Sequence, residues 1–284
     1  MSPSEVRCSC GAINDVAFDS CIRCNRSLRG GAADRDRPKA PPTRLAAPGT
    51  SALLLGGLCA IVFAVQLAFE LKAGGGIPFL GGSEMAAFRV GMLVTSDDLI
   101  RVEPYRFLAA VYVHFGILHF GLNMLGLFSQ AKLADSVVGS ARTMIAFIVG
   151  GVAGFLTTYA VQIAGNGAVS NTAGASGGLL AVMGLVLGVM LRRKLPGFLA
   201  QAGNVLFYVV IFGFAINASN SSIKINNSAH IGGLLVGFAL GYLWGKAGAR
   251  ESALTRYAAI ALFLASIASI LLALSSELHK VVGA

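Results

Sequence analysis

Long apolar segments dominate the chain from residue 50 onward, and short polar segments separate them. Each apolar segment approaches the roughly 20 residues that a helix needs to cross a hydrocarbon core about 30 Å thick. The pattern predicts an all-α integral membrane protein, a polytopic helical bundle with six core transmembrane helices and a seventh at the carboxyl end. The predicted spans are residues 52–71, 107–129, 142–164, 175–191, 201–218, 229–245 and 257–275.

The amino-acid composition agrees with a membrane location. Hydrophobic residues make up 55% of the chain and charged residues 12%, whereas soluble domains carry roughly 25% charged residues. The formal net charge of +9 would also suit a nucleic-acid-binding protein. In a membrane chain, basic cytoplasmic loops account for such a charge, so we expect no nucleic-acid partner. We also expect no cleavable signal peptide, because the first apolar segment begins only after a polar stretch.

Lysine and arginine are distributed unevenly between the two sides of the predicted bundle. If the amino terminus is inside, the cytoplasmic segments hold 16 of the 22 basic residues. This bias predicts a cytoplasmic amino terminus and an outer carboxyl terminus, as in a bacterial inner membrane. The long loop of residues 72–106 mixes apolar and charged residues, which favours a position in the headgroup layer of the bilayer.

Four cysteines lie close together near the amino terminus, and they could place four thiolates around a structural zinc ion. The second pair has the spacing of a zinc knuckle and the first pair is one residue shorter, so a redox pair or unliganded thiols are alternatives. A reducing cytosol disfavours disulfides and favours zinc. We expect a zinc-ribbon-like module at 1–28, a disordered linker at 29–50 and a membrane domain at 51–284. The four candidate ligands are Cys8, Cys10, Cys21 and Cys24.

A serine and a histidine each open a predicted span, Ser176 the fourth and His230 the sixth. Between Asp135 and Glu251 the chain has no acidic residue, so these two side chains would react as a pair without a carboxylate. A neutral histidine can take the proton of a serine hydroxyl near pH 7. The free N–H groups and the dipole at a helix start favour the oxyanion that follows.

The predicted second span adds three polar residues in the same outer half of the bilayer, His114, His119 and Asn123. His119 and Asn123 are four residues apart and therefore share a helical face. Polar residues inside a bilayer are costly and indicate function. Structural alternatives remain open for each residue: Ser176 could cap a helix, His230 could be a buried hydrogen-bonded histidine, and the other three could join helices or line an ion path.

Small residues favour close approach of the serine and histidine helices. The sixth span has Gly233, Gly237 and Gly241 at four-residue spacing, in register with His230. The fourth span also has small residues along its length. Small residues let membrane helices pack closely, so we expect the two spans to pair.

These residues together resemble the rhomboid family of intramembrane serine proteases. The resemblance covers about two-thirds of the chain and consists of Tyr105-Arg106, His114-x₄-His119-x₃-Asn123, Gly174-x-Ser176-Gly177 and Ala229-His230-x₂-Gly233-x₃-Gly237.

The resemblance implies a role for each matched residue. Ser176 would be the nucleophile and His230 the general base. His119 and Asn123 would line the oxyanion hole, and His114, Gly174 and Gly177 would support them. The implied reaction is hydrolysis of peptide bonds in or near transmembrane segments of membrane proteins, within the lipid bilayer and without a catalytic cofactor.

The sequence departs from the family pattern in three ways. Leu180 stands where many members have an aromatic residue that stacks on the catalytic histidine. Tyr105 replaces the tryptophan of a tryptophan–arginine pair. A seventh span and the cysteine module extend the shared core of six spans, as in some members only.

Three other classes of protein are alternatives. A catalytically inactive rhomboid-like protein would bind or traffic transmembrane clients, but such relatives lose the serine or the histidine and this chain keeps both. The glycines around Ser176 also fit the nucleophile elbow of an α/β-hydrolase, but that motif needs a preceding strand and an acidic partner between serine and histidine. The sequence predicts neither, so we reject that fold. A transporter or metal channel should show acidic residues or broken helices at the midplane, and predicted spans 4 to 6 contain no acids.

Overall fold

The computed structural model of the chain describes residues 5–10, 12–15, 20, 21, 23, 24, 28, 49–209, 213, 225–245, 251–276 and 278. Most of the predicted linker and part of the predicted fifth span, including residues 214–218, lie outside the described residues. The described helices are α1 (Thr50–Lys72), α2 (Glu84–Arg89), α3 (Asp97–Val102), α4 (Arg106–Ala109), α5 (Ile117–Val138), α6 (Ser140–Ala164), α7 (Ser176–Arg193), α8 (Phe198–Phe207), α9 (Asn227–Trp244) and α10 (Ala253–Ser275).

Two small antiparallel pairs of strands accompany the helices. Strands β1 (Glu5–Arg7) and β2 (Ile13–Asp15) pair near the amino terminus, with Val6 opposite Asn14. Strands β3 (Leu93–Val94) and β4 (Asn171–Thr172) pair next to the start of α7. The second pair ties the long loop before α5 to the segment that leads into the Ser176 helix.

The helices form an all-α membrane bundle, as the sequence predicts. Among the described residues, α1, α6, α7 and α10 are long and apolar enough to cross a membrane. A fifth span results if α4, the following 3₁₀ turn and α5 are counted together, although they bend by 89°. Helix α9 begins and ends within two residues of the predicted sixth span.

The bend corrects the prediction of a continuous second span at residues 107–129. Helix α4 and a 3₁₀ turn end at Tyr112, Val113 is extended, and α5 starts only at Ile117. The first N–H groups of α5 find partners in the preceding loop, because Ile117 N donates to the Pro78 carbonyl at 2.9 Å and Leu118 N to the Phe79 carbonyl at 3.0 Å. In a continuous helix these N–H groups would bond to carbonyls one turn earlier in the same helix. The loop carbonyls take the place of those partners where the helix is broken. His114 therefore lies before the helix rather than on it.

The loop between α1 and α4 has structure of its own, since it contains α2, β3 and α3. Arg106, where the loop meets α4, is 1% exposed. It forms an ion pair with Glu103 and donates to the carbonyls of Phe88 at 2.7 Å and Met92 at 3.1 Å. Burial would raise the pKa of Glu103, but hydrogen bonds with Ser276, Tyr105 and Arg106 hold it below its ordinary value. The position of this loop in the headgroup layer stays a prediction.

Helix α7 is the centre of the bundle, because 72% of its 18-residue apolar stretch is buried. It packs against α9 with almost no side chain between the two backbones. A Cβ added at Gly237 would overlap the carbonyl oxygen of Ala181, and one at Gly241 would overlap the Leu185 carbonyl. Gly184 of α7 faces the Leu234 carbonyl of α9 in the same way. The predicted pairing of two small-residue stripes is confirmed.

A buried carboxylate joins three other helices, α1, α5 and α6. Asp135, near the end of α5, accepts hydrogen bonds from the backbone N–H groups of Gly49 and Ser51 at 3.1 and 3.2 Å. The Ser51 hydroxyl donates to it at 2.6 Å and the Ser140 hydroxyl at 2.9 Å. Four donors satisfy the charge of this buried group, as its burial requires.

Candidate active site

Ser176 is the first residue of α7, directly after an N-cap at Ala175. The turn that presents it depends on Gly174, whose φ of +137° lies in a region that residues with a side chain rarely adopt. The Gly174 N–H donates to the Ala110 carbonyl at 2.9 Å, which ties this turn to the segment before α5. The Ser176 Oγ lies 2.8 Å from the Nε2 of His230. This distance is a hydrogen bond between the nucleophile and the base that the sequence predicts.

His230 occupies the first turn of α9, and Asn226 holds the start of this helix. The Asn226 Oδ1 accepts from the Ala229 N–H at 3.0 Å, which caps the helix. The same oxygen accepts from the Thr158 hydroxyl of α6 at 3.0 Å, and the Asn226 Nδ2 donates to the Thr172 Oγ1 of β4 at 2.8 Å. The sequence analysis missed Asn226, although an asparagine just before a predicted helix is a usual capping signal.

His119 lies beside the turn that presents Ser176. A Cβ added at Gly174 would lie 3.0 Å from the His119 Nε2 and 3.9 Å from the Ser176 Oγ. The Phe115 N–H points to the His119 Nδ1 at 3.3 Å. An N–H donor at Nδ1 requires this nitrogen to accept, so the neutral ring carries its proton on Nε2. His119 therefore turns an N–H donor toward the neighbourhood of the nucleophile.

Asn123 lies one turn after His119 on α5 and is 4% exposed. Its Nδ2 donates to the His119 carbonyl at 2.8 Å. Hydrogen bonds from Asn123 to Ser176 or His230 are absent among the described residues. Since an amide nitrogen has two protons, one remains for another acceptor.

His114 is fully buried, in the extended stretch before α5. Its Nδ1 lies 3.2 Å from the Tyr112 carbonyl, and a carbonyl only accepts, so Nδ1 is the donor. The His114 ring meets the His119 ring edge-on at 5.2 Å between centroids. The Gln66 Nε2 of α1 donates to the His114 carbonyl at 2.8 Å. His114 thus lies behind His119 and does not contact the dyad.

Gly177 lies at the crossing of the serine and histidine helices. A Cβ there would lie 3.4 Å from the Ala229 carbonyl, and a Cβ at Gly233 would overlap the carbonyl of Gly177. Leu180, one turn further along α7, is buried with Leu179 in an apolar cluster. The aromatic contact on the histidine is missing in the described structure, in agreement with the leucine in the sequence.

The second nitrogen of His230 has no carboxylate beside it in the part of the chain that the structure describes. Its Nδ1 is buried and lacks a hydrogen-bond partner there. For His230 Nε2 to accept the Ser176 proton, Nδ1 must carry the other ring proton. The structure thus places Ser176 against His230, and the role of the two residues as a catalytic pair stays a prediction.

The four amino-terminal cysteines converge next to the β1–β2 hairpin, with all four Sγ atoms within 4.8 Å of one another. The Cys8–Cys24 and Cys10–Cys21 sulfur distances are both 3.5 Å. Zinc–sulfur bonds of about 2.3 Å place the corners of a tetrahedron about 3.8 Å apart, so the cluster fits one zinc ion. Burial would raise the pKa of Cys21, but hydrogen bonds from the Cys24 and Arg23 backbone and from neighbouring thiols lower it to about 6.

Comparison with known proteins identifies the family. Residues 101–247, more than half of the chain, match the Rhomboid domain. The chain is 32% identical to Rhomboid protease GluP of Bacillus subtilis over 56% of its own length and 30% of that protein. It is 30% identical to RHOMBOID-like protein 6, mitochondrial, of Arabidopsis thaliana over 58% of this chain and 52% of that one.

A third relative matches over most of its length. The chain is 26% identical to Rhomboid protease GlpG of Haemophilus influenzae over 71% of its own length and 94% of that protein. The match to the first two relatives, by contrast, spans only about a third and a half of their length. The match to the Rhomboid domain and the apolar helices together show a multi-pass membrane protein, and the chain belongs to the rhomboid family.

Proposed function

We propose that the protein is an intramembrane serine endopeptidase that cleaves membrane proteins in or near their transmembrane segments. The observation that carries the proposal is the 2.8 Å distance between the Ser176 Oγ and the His230 Nε2. Both residues lie at starts of helices in a bundle that belongs to the rhomboid family. Rhomboid proteases among the relatives support the same activity.

Ser176 and His230 divide the reaction between them. His230 takes the hydroxyl proton as Ser176 Oγ bonds to the carbonyl carbon of the scissile peptide. His230 then gives this proton to the leaving amine, and the peptide C–N bond breaks to leave an acyl-enzyme. In the second half, His230 takes a proton from water, whose oxygen attacks the ester carbon. His230 then gives this proton to the Ser176 Oγ as the ester C–O bond breaks, which releases the acid product and restores the serine.

The oxyanion formed at each step needs donors placed in advance. His119 turns its Nε2–H toward the Ser176 neighbourhood, because its Nδ1 is held by the Phe115 N–H. The free N–H groups at the start of α7 point the same way. Asn123 has a second amide proton left after its bond to the His119 carbonyl. We assign His119 and Asn123 to the oxyanion hole and His114 to the support of His119.

The substrate class and orientation follow from the position of the dyad at one end of the spans. The bias of basic residues supports a bacterial inner membrane with the amino terminus in the cytoplasm and the carboxyl terminus outside. Ser176 and His230 would then lie in the outer half of the bilayer, where they reach transmembrane segments of substrate proteins that diffuse in the lipid.

Labelling of membranes with a fluorophosphonate probe tests the nucleophile directly. The wild-type protein should be labelled, and Ser176→Ala and His230→Ala should lose both labelling and cleavage of a transmembrane substrate while still inserting and folding. Ser136→Ala is the matched control, because this serine is exposed and donates only to the Leu133 carbonyl of its own helix. Cleavage by purified Ser176→Ala protein would refute the mechanism.

The same experiment separates the protease from an inactive rhomboid-like protein that binds or traffics transmembrane clients. Leu180 in place of an aromatic residue is the feature that favours this second candidate. An inactive protein would keep its fold and its clients and would show no labelling of Ser176 and no cleavage. Labelling that Ser176→Ala abolishes excludes it.

We further propose that the amino-terminal module holds one structural zinc ion. Cys8, Cys10, Cys21 and Cys24 provide four sulfur ligands, a set that zinc prefers in closed structural sites. Elemental analysis of the full-length protein, purified without chelator, should give about one zinc per chain. Cys10→Ser should lose it, whereas Cys59→Ala should keep it because Cys59 is buried in α1 outside the cluster. Wild-type protein without stoichiometric metal would refute zinc here.

A further inference from the structure

Helix α10 is the least buried of the four described helices that are long and apolar enough to cross a membrane. Only 28% of its most apolar 18-residue stretch is buried, against 44% of the corresponding stretches in α1 and α6. Yet its short buried face contains two serines, Ser266 and Ser269, at 0% and 3% exposure. Serine side chains in membrane helices can hydrogen-bond to a neighbouring helix. The buried serines therefore call for a partner.

The partner of Ser266 is Tyr112, in the turn just before the active-site helix α5. The Tyr112 hydroxyl donates to the Ser266 Oγ at 2.9 Å. The Ser266 hydroxyl donates in turn to the Leu262 carbonyl of its own helix at 2.9 Å. Both side chains are 0% exposed, so water cannot replace either bond. This hydrogen bond links positions 154 residues apart in the chain.

Helix α10 reaches the same region at two more points near its end. A Cβ added at Gly91 would overlap the Ala109 side chain and lie 3.5 Å from the Cβ of Ala273 in α10. Directly after the helix, Ser276 hydrogen-bonds Glu103. We name residues 105–116 the lead-in segment. Helix α10 thus packs along this segment and beside the ion pair of Arg106 with Glu103.

The lead-in segment connects to the active site through backbone carbonyls. The Ala110 carbonyl accepts from Gly174, which shapes the turn before Ser176, at 2.9 Å. The carbonyl of Tyr112 accepts from the Nδ1 of His114 at 3.2 Å, and the His114 ring lies edge-on to His119. Tyr112 thus binds α10 through its hydroxyl and holds His114, the histidine behind His119, through its carbonyl.

We propose that α10 positions the active site by holding the lead-in segment through the Tyr112–Ser266 hydrogen bond. In this role Tyr112 and Ser266 are positioning residues, since neither touches the dyad. The catalytic part of this inference rests on the proposed protease function. A purely structural α10 would instead stabilise the bundle without any effect on the geometry of the site.

Hydrogen exchange of the full-length protein in detergent tests the positioning without any assay of activity. Ser266→Ala and Tyr112→Phe each remove one hydroxyl and leave the packing nearly unchanged. We expect faster exchange of the amide of Gly174 and of residues 105–116 in both variants, with α7 and α9 unaffected. Ser275→Ala is the matched control, because Ser275 also lies on α10 and donates to its own helix but is exposed. Unchanged exchange in the lead-in segment would overturn the proposal.

Kinetics on a transmembrane substrate supply the second measurement. Misplacement of catalytic groups by about 1 Å can cost up to 100-fold in rate, so we expect each variant to lower kcat about 10-fold with little change in KM. The Tyr112→Phe/Ser266→Ala double variant should be no slower than either single variant, because both remove the same bond. Ser275→Ala should keep wild-type kcat.

The outcomes separate the two proposals. A lower melting temperature with normal kcat in the folded variants would overturn a positioning role for α10. Effects that add in the double variant would show that Tyr112 and Ser266 act independently, which also overturns it. A wild-type protein that neither cleaves nor takes the fluorophosphonate would refute the protease function, and the exchange of residues 105–116 would still decide whether α10 holds the segment.

Discussion

Two regions of the membrane domain are joined by different forces. Helices α7 and α9, which carry Ser176 and His230, meet backbone to backbone, with Gly237 against the Ala181 carbonyl. Helices α1, α5 and α6 meet around the carboxylate of Asp135 and its four donors. Helix α6 takes part in both contacts, because Ser140 at its start donates to Asp135 and a Cβ added at Gly154 would overlap the Ala229 carbonyl of α9.

We call the contact between α7 and α9 the first joint and the Asp135 cluster the second joint. The first should set the distance between Ser176 and His230, and the second should set stability. Contacts between small residues are short-ranged, and a single added methyl group forces the backbones apart. Such a joint fixes the distance between two helices tightly, as a hydrogen bond between Ser176 and His230 requires. The Asp135 cluster holds three helix ends together by hydrogen bonds, and among the described residues none of these bonds involves Ser176 or His230. We therefore expect changes at Gly237 to affect activity and changes at Asp135 to affect stability.

The largest effect is expected from Gly237→Ala, which breaks the first joint. The new Cβ would overlap the Ala181 carbonyl, so α7 and α9 must separate and the Ser176–His230 hydrogen bond should be lost. We expect kcat/KM to fall by more than about 10³-fold, because both the geometry and the general base are lost, together with the melting temperature. The measurements are substrate cleavage and thermal unfolding in detergent.

Gly57→Ala provides the matched control for this change. Gly57 also lies inside a membrane helix, α1, but a Cβ there meets nothing within 4 Å. It should leave activity unchanged and stabilise the helix by up to about 1 kcal/mol, since alanine is the better helix former. Full activity of Gly237→Ala would show that close packing does not set the distance within the dyad.

The second-largest effect is expected at Asn123, and it tests whether this side chain acts in catalysis or only supports α5. If its second amide proton binds the oxyanion, Asn123→Ala should lower kcat by about 10²- to 10³-fold with a smaller change in KM. Asn123→Asp should be no better, because a carboxylate would repel the developing charge. If Asn123 only supports α5 through the His119 carbonyl, the melting temperature should fall while kcat stays near normal.

Asp135→Asn should break the second joint and leave the first intact. An amide NH₂ in place of one carboxylate oxygen would face donors such as the Ser51 hydroxyl or the Ser51 and Gly49 N–H groups. We expect the free energy of unfolding to fall by about 2 kcal/mol, because hydrogen bonds to a charged acceptor are lost. The kcat of the folded protein should not change. Ser136→Ala, next to it and exposed, is the control, and a lower kcat for Asp135→Asn would contradict the division between the joints.

The smallest effect is expected at Asn226, which caps the histidine helix. Asn226→Ala should lower the free energy of unfolding by about 1 kcal/mol, the usual cost of a lost helix cap. Asn226→Asp keeps the oxygen that accepts from Ala229 but loses the amide that donates to Thr172. Thermal unfolding of both variants separates the cap from the bridge to β4. Equal losses would assign the effect to the bridge alone.

Much of the bundle and of the site could be predicted because the signals are local. The length of an apolar segment follows from the thickness of the bilayer, and α6, α7 and α9 begin within about two residues of their predicted starts, within the usual uncertainty of helix ends. The bend before α5 could not be predicted. The segment around His114 is as apolar as the helix after it, and the carbonyls of Pro78 and Phe79 that end the continuity come from a distant loop.

The sequence by itself determined the all-α membrane bundle, the positions of Ser176 and His230 at helix starts, the glycine stripe and the cysteine pairs. Each of these depends on residue type and spacing along one segment. Only the tertiary structure decided that Tyr112 binds Ser266 and that Asn226 bridges Thr158 and Thr172. These bonds join residues 54 to 154 positions apart. A serine or threonine offers the same hydroxyl wherever it stands, so its partner is set by which helices the bundle brings together.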